Sequence, residues 1–322
     1  MLLRRTTFTS VVLAFALSGI LAGQRRGGTE LWMAGLDPIT RPESGNPLAS
    51  DFMELFAPDA PWADASARLQ VLKVSTQFLV RGGDSDLSLM FSDLRRRHIA
   101  LAVEGLMLTG NGTCGVGVEG YAAPLGMKTL AERVRALGGD LSYVAMDEPL
   151  WFGHVFDGRL ACRATLAEIA RDVAVKVADV RRLFPAVVVG DIEPIGSPAA
   201  PHDWIDQLML WSAEYRAATG TPLAFVHADV QWSQAWQPGV ETLNRQLTAD
   251  GIRFGVIMNG DPDEATGVAW TSHASQRSHA VRRLLRRWPD FVIFQSWHAQ
   301  PEKFLPEDRP GTLTNLVSRF RP

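Results

Sequence analysis

The chain has 322 residues, of which 46% are hydrophobic and 21% are charged, and its formal net charge at pH 7 is −3. This composition is ordinary for a globular protein that is long enough for one large domain or two small ones. A charge so close to zero gives no support to a nucleic acid or an anionic membrane as a partner, and we expect neither.

The first 23 residues have the features of a secretory signal peptide. Arg4 and Arg5 precede an apolar run over residues 11–22, which ends in small residues. The run is shorter than the ~20 residues that a helix needs to span a bilayer. We therefore predict export to the periplasm or the medium, with no stable membrane insertion after the signal peptide is removed. A short membrane anchor is the alternative.

After the leader, short apolar runs alternate with stretches of helical periodicity. The runs cover residues 31–36, 69–79, 99–108, 141–146, 186–190, 223–230, 252–258 and 291–294. Between most of them, apolar residues recur every three or four positions, for example at Leu87-Met90-Leu94, Leu130-Val134-Leu137 and Ile205-Leu208-Trp211. Residues 52–56 are a further candidate helix.

This alternation predicts an α/β protein with the (β/α)8 TIM barrel fold, in which residues 29–322 form a single catalytic domain. The alternative is an open doubly wound sheet. That fold usually has a glycine-rich phosphate loop after its first strand, and the sequence offers none there.

Several of the predicted strands end in carboxylates. The fourth run leads into Asp147-Glu148-Pro149, and the fifth leads into Asp191-Ile192-Glu193-Pro194. The next two lead into His227-Ala228-Asp229 and Asn259-Gly260-Asp261. In a barrel of parallel strands all of these ends lie on one face, where barrel enzymes have their active sites. We therefore expect the polar groups to converge on one cleft.

The alternation of side chains along a strand predicts which of these groups point inward. His227, Asp229 and Gln231 share one face of the sixth strand, and Val226 and Ala228 share the other. Because the apolar face must meet the helices, the polar face is predicted to look into the barrel mouth. The same parity pairs other polar residues: Lys73 with Ser75 and Gln77, Asp191 with Glu193, Asn259 with Asp261, and Gln295 with Trp297.

The positions of these motifs resemble the large clan of retaining glycoside hydrolases built on the barrel. In that clan the fourth strand ends in Asn-Glu-Pro, the seventh carries a Glu nucleophile, and a Trp on the eighth lines the sugar site. The resemblance implies that Glu148 is the acid/base, with Asp147 in place of the usual Asn, and that Trp297 is the aromatic platform. The seventh strand is divergent, because its end offers Asn259 and Asp261 but no Glu.

Cleavage of a glycosidic bond needs one protonated carboxyl and one ionised carboxylate. The first protonates the leaving oxygen, and the second attacks the sugar or activates water. We predict Glu148 as the acid and Asp229 or Glu193 as its catalytic partner, with Asp261 and Glu104 as alternatives. Clustered carboxylates raise one another's pKa, which suits a general acid. A structural salt bridge is the alternative role for Glu148.

The predicted substrate-binding residues are polar or aromatic side chains at the same strand ends: Glu104, Asp147, Trp151, His227, Gln231, Trp232, Asn259, Asp261 and Trp297. Exposed tryptophan rings stack on the apolar faces of pyranose rings. His227 is equally a candidate for a core histidine. No cofactor and no metal site is predicted, because no second histidine falls on an obvious neighbouring strand end.

Together these features predict an exported glycoside hydrolase that acts on a polysaccharide or oligosaccharide. The main alternative is a non-catalytic carbohydrate-binding barrel that has lost its nucleophile, and a third option is another barrel chemistry on glycans, such as a lyase or a metal-dependent hydrolase. Cys114 and Cys162 fall in the loops predicted after the third and fourth strands. An exported protein can form a disulfide, so a bridge that restrains the 110–117 loop and two free thiols are both open.

Overall fold

A computed structural model describes residues 28–40, 51–122 and 126–322. The signal peptide predicted at residues 1–23 lies outside the described residues. Within those ranges, no helix is both long enough and apolar enough to cross a membrane.

Eight parallel strands close into a barrel, which confirms the predicted (β/α)8 fold. Each strand pairs with its neighbours in the sequence, and β1 closes the ring by pairing with β8. The strands are β1 (Glu30–Ala34), β2 (Val71–Ser75), β3 (Ala100–Gly105), β4 (Leu141–Asp147), β5 (Val188–Ile195), β6 (Phe225–Val230), β7 (Arg253–Met258) and β8 (Phe291–Gln295). A separate two-stranded sheet pairs Leu108–Thr109 with Tyr121–Ala122 in the region after β3.

Helices surround the barrel, and the sequence periodicity located most of the long ones. They are α1 (Ala63–Arg68), α2 (Thr76–Arg81), α3 (Asp84–Arg97), α4 (Gly126–Ala136), α5 (Leu166–Leu183), α6 (Trp204–Thr219), α7 (Gln237–Ala249), α8 (Gly267–Leu285) and α9 (Leu313–Arg319). The candidate helix at residues 52–56 is a short 3₁₀ turn, Met53–Phe56, and a π-helical turn, Trp151–Val155, follows β4.

The boundaries of α5 follow from its sequence. The Thr165 hydroxyl accepts a hydrogen bond from the Glu168 amide at 3.3 Å, and the Glu168 carboxylate accepts one from the Thr165 amide at 2.8 Å. This reciprocal capping box satisfies two of the amide donors that a helix start leaves unpaired. It fixes where the long connection after β4 ends and the helix begins.

The second apolar run was predicted as one strand over residues 69–79, and that prediction is wrong at its end. The strand stops at Ser75, and its last residues belong to α2 instead. The Ser75 hydroxyl accepts a hydrogen bond from the Phe78 amide at 3.0 Å, which makes Ser75 the N-cap of that helix. A short buried helix and a buried strand have the same apolar composition, so periodicity alone does not separate them.

The hydrophobic core has two layers, one inside the barrel and one between strands and helices. Inside, one cluster fills the lumen below the carboxyl ends of the strands: Trp32, Val71, Ala102, Ala145, Ile192, Phe225, Ile257, Phe291 and Ile293. Val226 and Ala228 belong to the outer layer, which confirms the predicted parity of β6. The filled lumen leaves space for a ligand only above this cluster, at the barrel mouth.

Candidate active site

A cavity of about 760 Å³ opens at the carboxyl ends of the strands. It falls within the size range of small-molecule sites in proteins. Seven of the predicted site residues line it: Glu104, Asp147, Glu148, Trp151, Asp229, Gln231 and Trp297. The other five predicted residues do not line it: Glu193, His227, Trp232, Asn259 and Asp261.

Glu148 lies directly after β4 in a left-handed backbone conformation, with a φ of 46°. Its carbonyl oxygen accepts a hydrogen bond from the Phe152 amide at 3.0 Å, at the start of the π-helical turn. Burial raises the pKa of the Glu148 carboxyl well above its usual range, and the negative charges of Asp229 and Glu193 raise it further. This direction favours the protonated form, which is the form a general acid needs.

Asp229 lies on the inner face of β6, close to its end. Burial raises the pKa of this carboxyl to about 7, and the charge of Glu104 adds to the rise while the Lys73 ammonium opposes it. A carboxyl with such a pKa changes its charge near neutrality. Glu148 and Asp229 thus line one cavity as carboxyl groups whose pKa values are both raised.

Glu104 is held in the ionised form by its neighbours. Burial alone would raise its pKa, but an ion pair with Lys73 and a hydrogen bond from Gln295 keep the pKa of Glu104 below its usual value. The Gln295 side-chain amide donates to the Glu104 carboxylate at 2.9 Å. Lys73 is 1% exposed, so its charge is enclosed in the lumen beneath the cavity.

One wall of the cavity comes from the segment between β3 and α4, which contributes Glu119 and Tyr121. Cys114 in this segment is bonded to Cys162, in the connection after β4. The Gly115 amide also donates to the Leu160 carbonyl at 2.8 Å. The disulfide, one of the two alternatives open from the sequence, therefore joins the loops that follow the third and fourth strands.

Two of the tryptophans at the strand ends line the cavity, and two do not. Trp151 and Trp297 are part of the lining. Trp232 instead packs against Trp236, with ring centroids 5.0 Å apart, and its indole N–H donates to the Asn259 amide oxygen at 2.6 Å. The indole N–H of Trp232 and the amide oxygen of Asn259 are therefore paired with each other, and neither residue lines the cavity.

The expected inward orientation of Glu193 is wrong. Its carboxylate is fully buried and accepts hydrogen bonds from the Leu150 and Trp151 amides at 2.8 and 3.1 Å. Asp191, on the same face, accepts one from the Trp211 indole on α6 at 2.6 Å. These two acids face the outer layer because N–H donors there compensate their desolvation.

The inner face of β5 is occupied by small and apolar residues instead. A Cβ atom at Gly190 would come within 2.3 Å of the Phe225 ring, so only glycine fits at that level of the lumen. Ile192 and Pro194 follow on the same face and line the cavity. Glu193 thus positions the backbone that carries Trp151 rather than contacting the cavity.

His227 points inward as predicted but lies in the floor of the lumen below the cavity. Its ring stacks on Phe225 at a centroid distance of 4.4 Å and meets Trp32 edge-on at 4.9 Å. Burial holds the pKa of His227 well below its usual value, so the imidazole is neutral. The alternative reading of His227 as a core histidine fits this position.

The seventh strand brings an apolar side chain to the cavity. Ile257 lines it, whereas Asp261 forms an ion pair with Arg277 outside it. Asp261, Glu264 and His273 offer ligand atoms within 4.8 Å of one another, which is a possible metal-binding group. The Arg277 guanidinium already neutralises Asp261 there and competes with a cation for this carboxylate.

Neither a protein-family model nor a curated protein matches the sequence. The fold itself resembles solved barrels. A fungal β-1,4-galactanase structure shares 10% identity over 91% of this chain and 100% of that chain, with a TM-score of 0.52. A psychrophilic glycoside hydrolase family 10 endo-β-1,4-xylanase shares 9% identity over 91% and 97%, with a TM-score of 0.51. A morphinone reductase shares 14% identity over 83% and 82%, with a TM-score of 0.46. At these identities the likeness shows the fold alone.

Proposed function

We propose that residues 29–322 form the catalytic domain of an exported glycoside hydrolase that cleaves O-glycosidic bonds in a polysaccharide or oligosaccharide. The observation that carries the proposal is the convergence of Glu148 and Asp229 on a cavity that Trp151 and Trp297 also line. The tryptophans offer apolar surface to a sugar ring, and the carboxyls offer the two groups that cleavage requires.

In this mechanism Glu148 is protonated in the resting enzyme and gives its proton to the leaving glycosidic oxygen. Asp229, ionised above about pH 7, attacks the sugar or takes a proton from the water that does so. Glu104 remains ionised through Lys73 and Gln295, and its charge helps to set the pKa of Asp229. Export is consistent with the Cys114–Cys162 disulfide, because disulfides persist in oxidising compartments.

The test is the release of reducing ends from a panel of neutral, acidic and amino-sugar polysaccharides, with the wild-type chain beside the Glu148→Gln variant. We expect release by the wild type and a strong loss in the variant.

The second candidate is a non-catalytic carbohydrate-binding barrel. It is favoured by Ile257, since the β7 residue that lines the cavity is apolar rather than a carboxylate. Binding to a member of the panel without any release would support this candidate.

A further inference from the structure

The cavity is acidic on several sides. Five carboxyl side chains from β3, β4, β6 and the loop before α4 line it: Glu104, Glu119, Asp147, Glu148 and Asp229. None of the described residues in the lining is a lysine, an arginine or a histidine. The ammonium of Lys73 lies behind Glu104 at 1% exposure and forms an ion pair with that carboxylate, which offsets its charge.

Gln295 adds an acceptor that has no partner. The residue lines the cavity and is 6% exposed. Its side-chain N–H₂ is fixed by the Glu104 carboxylate, which can only accept,. This leaves the amide oxygen as the group that remains, and it is buried with no hydrogen-bond partner among the described residues. A buried acceptor without a donor costs free energy, and a ligand group that donates to this oxygen would lower that cost.

The cavity lining therefore combines an acceptor oxygen with carboxyl groups that can become negatively charged, and this combination distinguishes between sugar substituents. A hydroxyl group both donates and accepts, and an acetamido group adds a carbonyl oxygen, which is a further acceptor. A protonated amino group has three donors, no acceptor and a positive charge. Charge-assisted hydrogen bonds from such a group to carboxylates are stronger than those between neutral groups.

We propose that the cavity selects a hexosamine unit with a free, protonated amino group. The substrate is then a glycan that contains amino sugars without their N-acetyl groups. This inference rests on the proposed function in that the cavity binds a glycan. Trp297 follows Gln295 by two residues and lines the same cavity. In this proposal the indole contacts the sugar ring, and the polar groups beside it bind the amino group of that sugar.

The electrostatic environment of the Asp147 carboxyl supports the same assignment. Burial raises the pKa of this carboxyl well above its usual range, and the negative charges of Glu104 and Glu119 raise it further. A cation beside Asp147 favours its ionised form and offsets that repulsion. A neutral sugar at the same place supplies no such compensation.

The test measures binding by calorimetry with the Glu148→Gln variant, which slows turnover. The probes are tetramers of glucosamine and of galactosamine, each beside its N-acetylated tetramer and the neutral tetramer with a hydroxyl at C2. We expect at least one amino tetramer to bind about tenfold more tightly than both of its counterparts. Equal or weaker binding of both amino tetramers, or no binding of either, would overturn the inference.

A second variant locates the selectivity. Asp147→Asn in the same background is expected to reduce the ratio of the amino tetramer's affinity to the neutral tetramer's affinity about tenfold. The matched control is Glu241→Gln, which removes a carboxylate from the exposed surface of α7 and should change neither value. Equal loss for charged and neutral tetramers in Asp147→Asn would contradict a charge-specific role.

The outcomes for the two proposals are separable. Amine-selective binding without release of reducing ends would overturn the proposed hydrolysis and leave this inference intact. Hydrolysis of neutral glycans without a preference for the amine would do the reverse.

Discussion

Glu104 and Gln295 are joined by a hydrogen bond of 2.9 Å, although their strands, β3 and β8, are not neighbours in the barrel. The bond reaches across the barrel mouth, past the ends of β1 and β2. Together with the Lys73 ion pair it fixes an ionised carboxylate at one side of the cavity. The charge of that carboxylate contributes to the raised pKa of Asp229, so one ionised acid adjusts the titration of another.

The first prediction concerns this coupling. Glu104→Gln removes a negative charge and leaves the Lys73 ammonium unpaired, and both changes favour the ionised form of Asp229. The acidic limb of the kcat/KM profile, which Asp229 places near pH 7, should therefore move to lower pH. The measurement is the pH dependence of kcat/KM, with Glu132→Gln on the exposed face of α4 as the control. A limb that stays in place or moves to higher pH would contradict the coupling.

The sequence predicted the barrel well because its strands and helices have different periods. It also located the polar ends of β4 and β6, since Asp147, Glu148 and Asp229 stand at or just after the ends of apolar runs. The prediction failed at Glu193, because its carboxylate lies on the outer face of β5 and accepts hydrogen bonds from the Leu150 and Trp151 amides. Such donors come from distant segments and leave no local signal.

The residues that sequence analysis missed have the same property. Glu119 and Tyr121 line the cavity from an irregular segment, where neither periodicity nor a strand end marks a position. The two cysteines were the one local signal that this segment approaches the connection after β4. The role of Lys73 was hidden for a different reason, because its parity predicted an inward side chain but not its partner, Glu104.

The second prediction concerns the buried acid Asp191. Burial raises the pKa of this carboxyl well above its usual value in the folded state. The stability contributed by its proton is therefore complete below about pH 4, the unfolded pKa, and is lost as pH rises towards the folded pKa. Asp191→Asn keeps an acceptor for the Trp211 indole and removes this loss.

Above pH 5 the free energy of unfolding of Asp191→Asn should rise relative to that of the wild type by up to about 1.4 kcal/mol per pH unit. Urea unfolding at pH 5, 7 and 9 measures this difference. Asp206→Asn, on the exposed face of the same helix as Trp211, should leave the wild-type slope unchanged. Parallel curves for Asp191→Asn and the wild type would show that Asp191 does not fold in its protonated form.

The third prediction concerns the backbone at Glu148, whose φ of 46° is unfavourable for a residue with a side chain,. Glu148→Gly should be more stable than Glu148→Ala by about 1 kcal/mol, because only glycine adopts this conformation without steric cost. The neighbouring pair gives the control. Asp147 ends strand β4, so Asp147→Gly should be less stable than Asp147→Ala. Denaturant unfolding of the four variants decides it, and the same order at both positions would contradict strain at Glu148.

The measurement that tests the central claim most directly compares Glu148→Gln on two kinds of substrate. The change keeps the shape of the side chain and removes its titrating proton. On a glycan with a poor leaving group, the loss in kcat/KM should be about 10²–10⁴-fold. On an aryl glycoside of the same sugar with an activated leaving group, it should be much smaller, because that group departs with little protonation. Asp229→Asn should slow both substrates alike. An equal loss on both substrates for Glu148→Gln would contradict its assignment as the general acid.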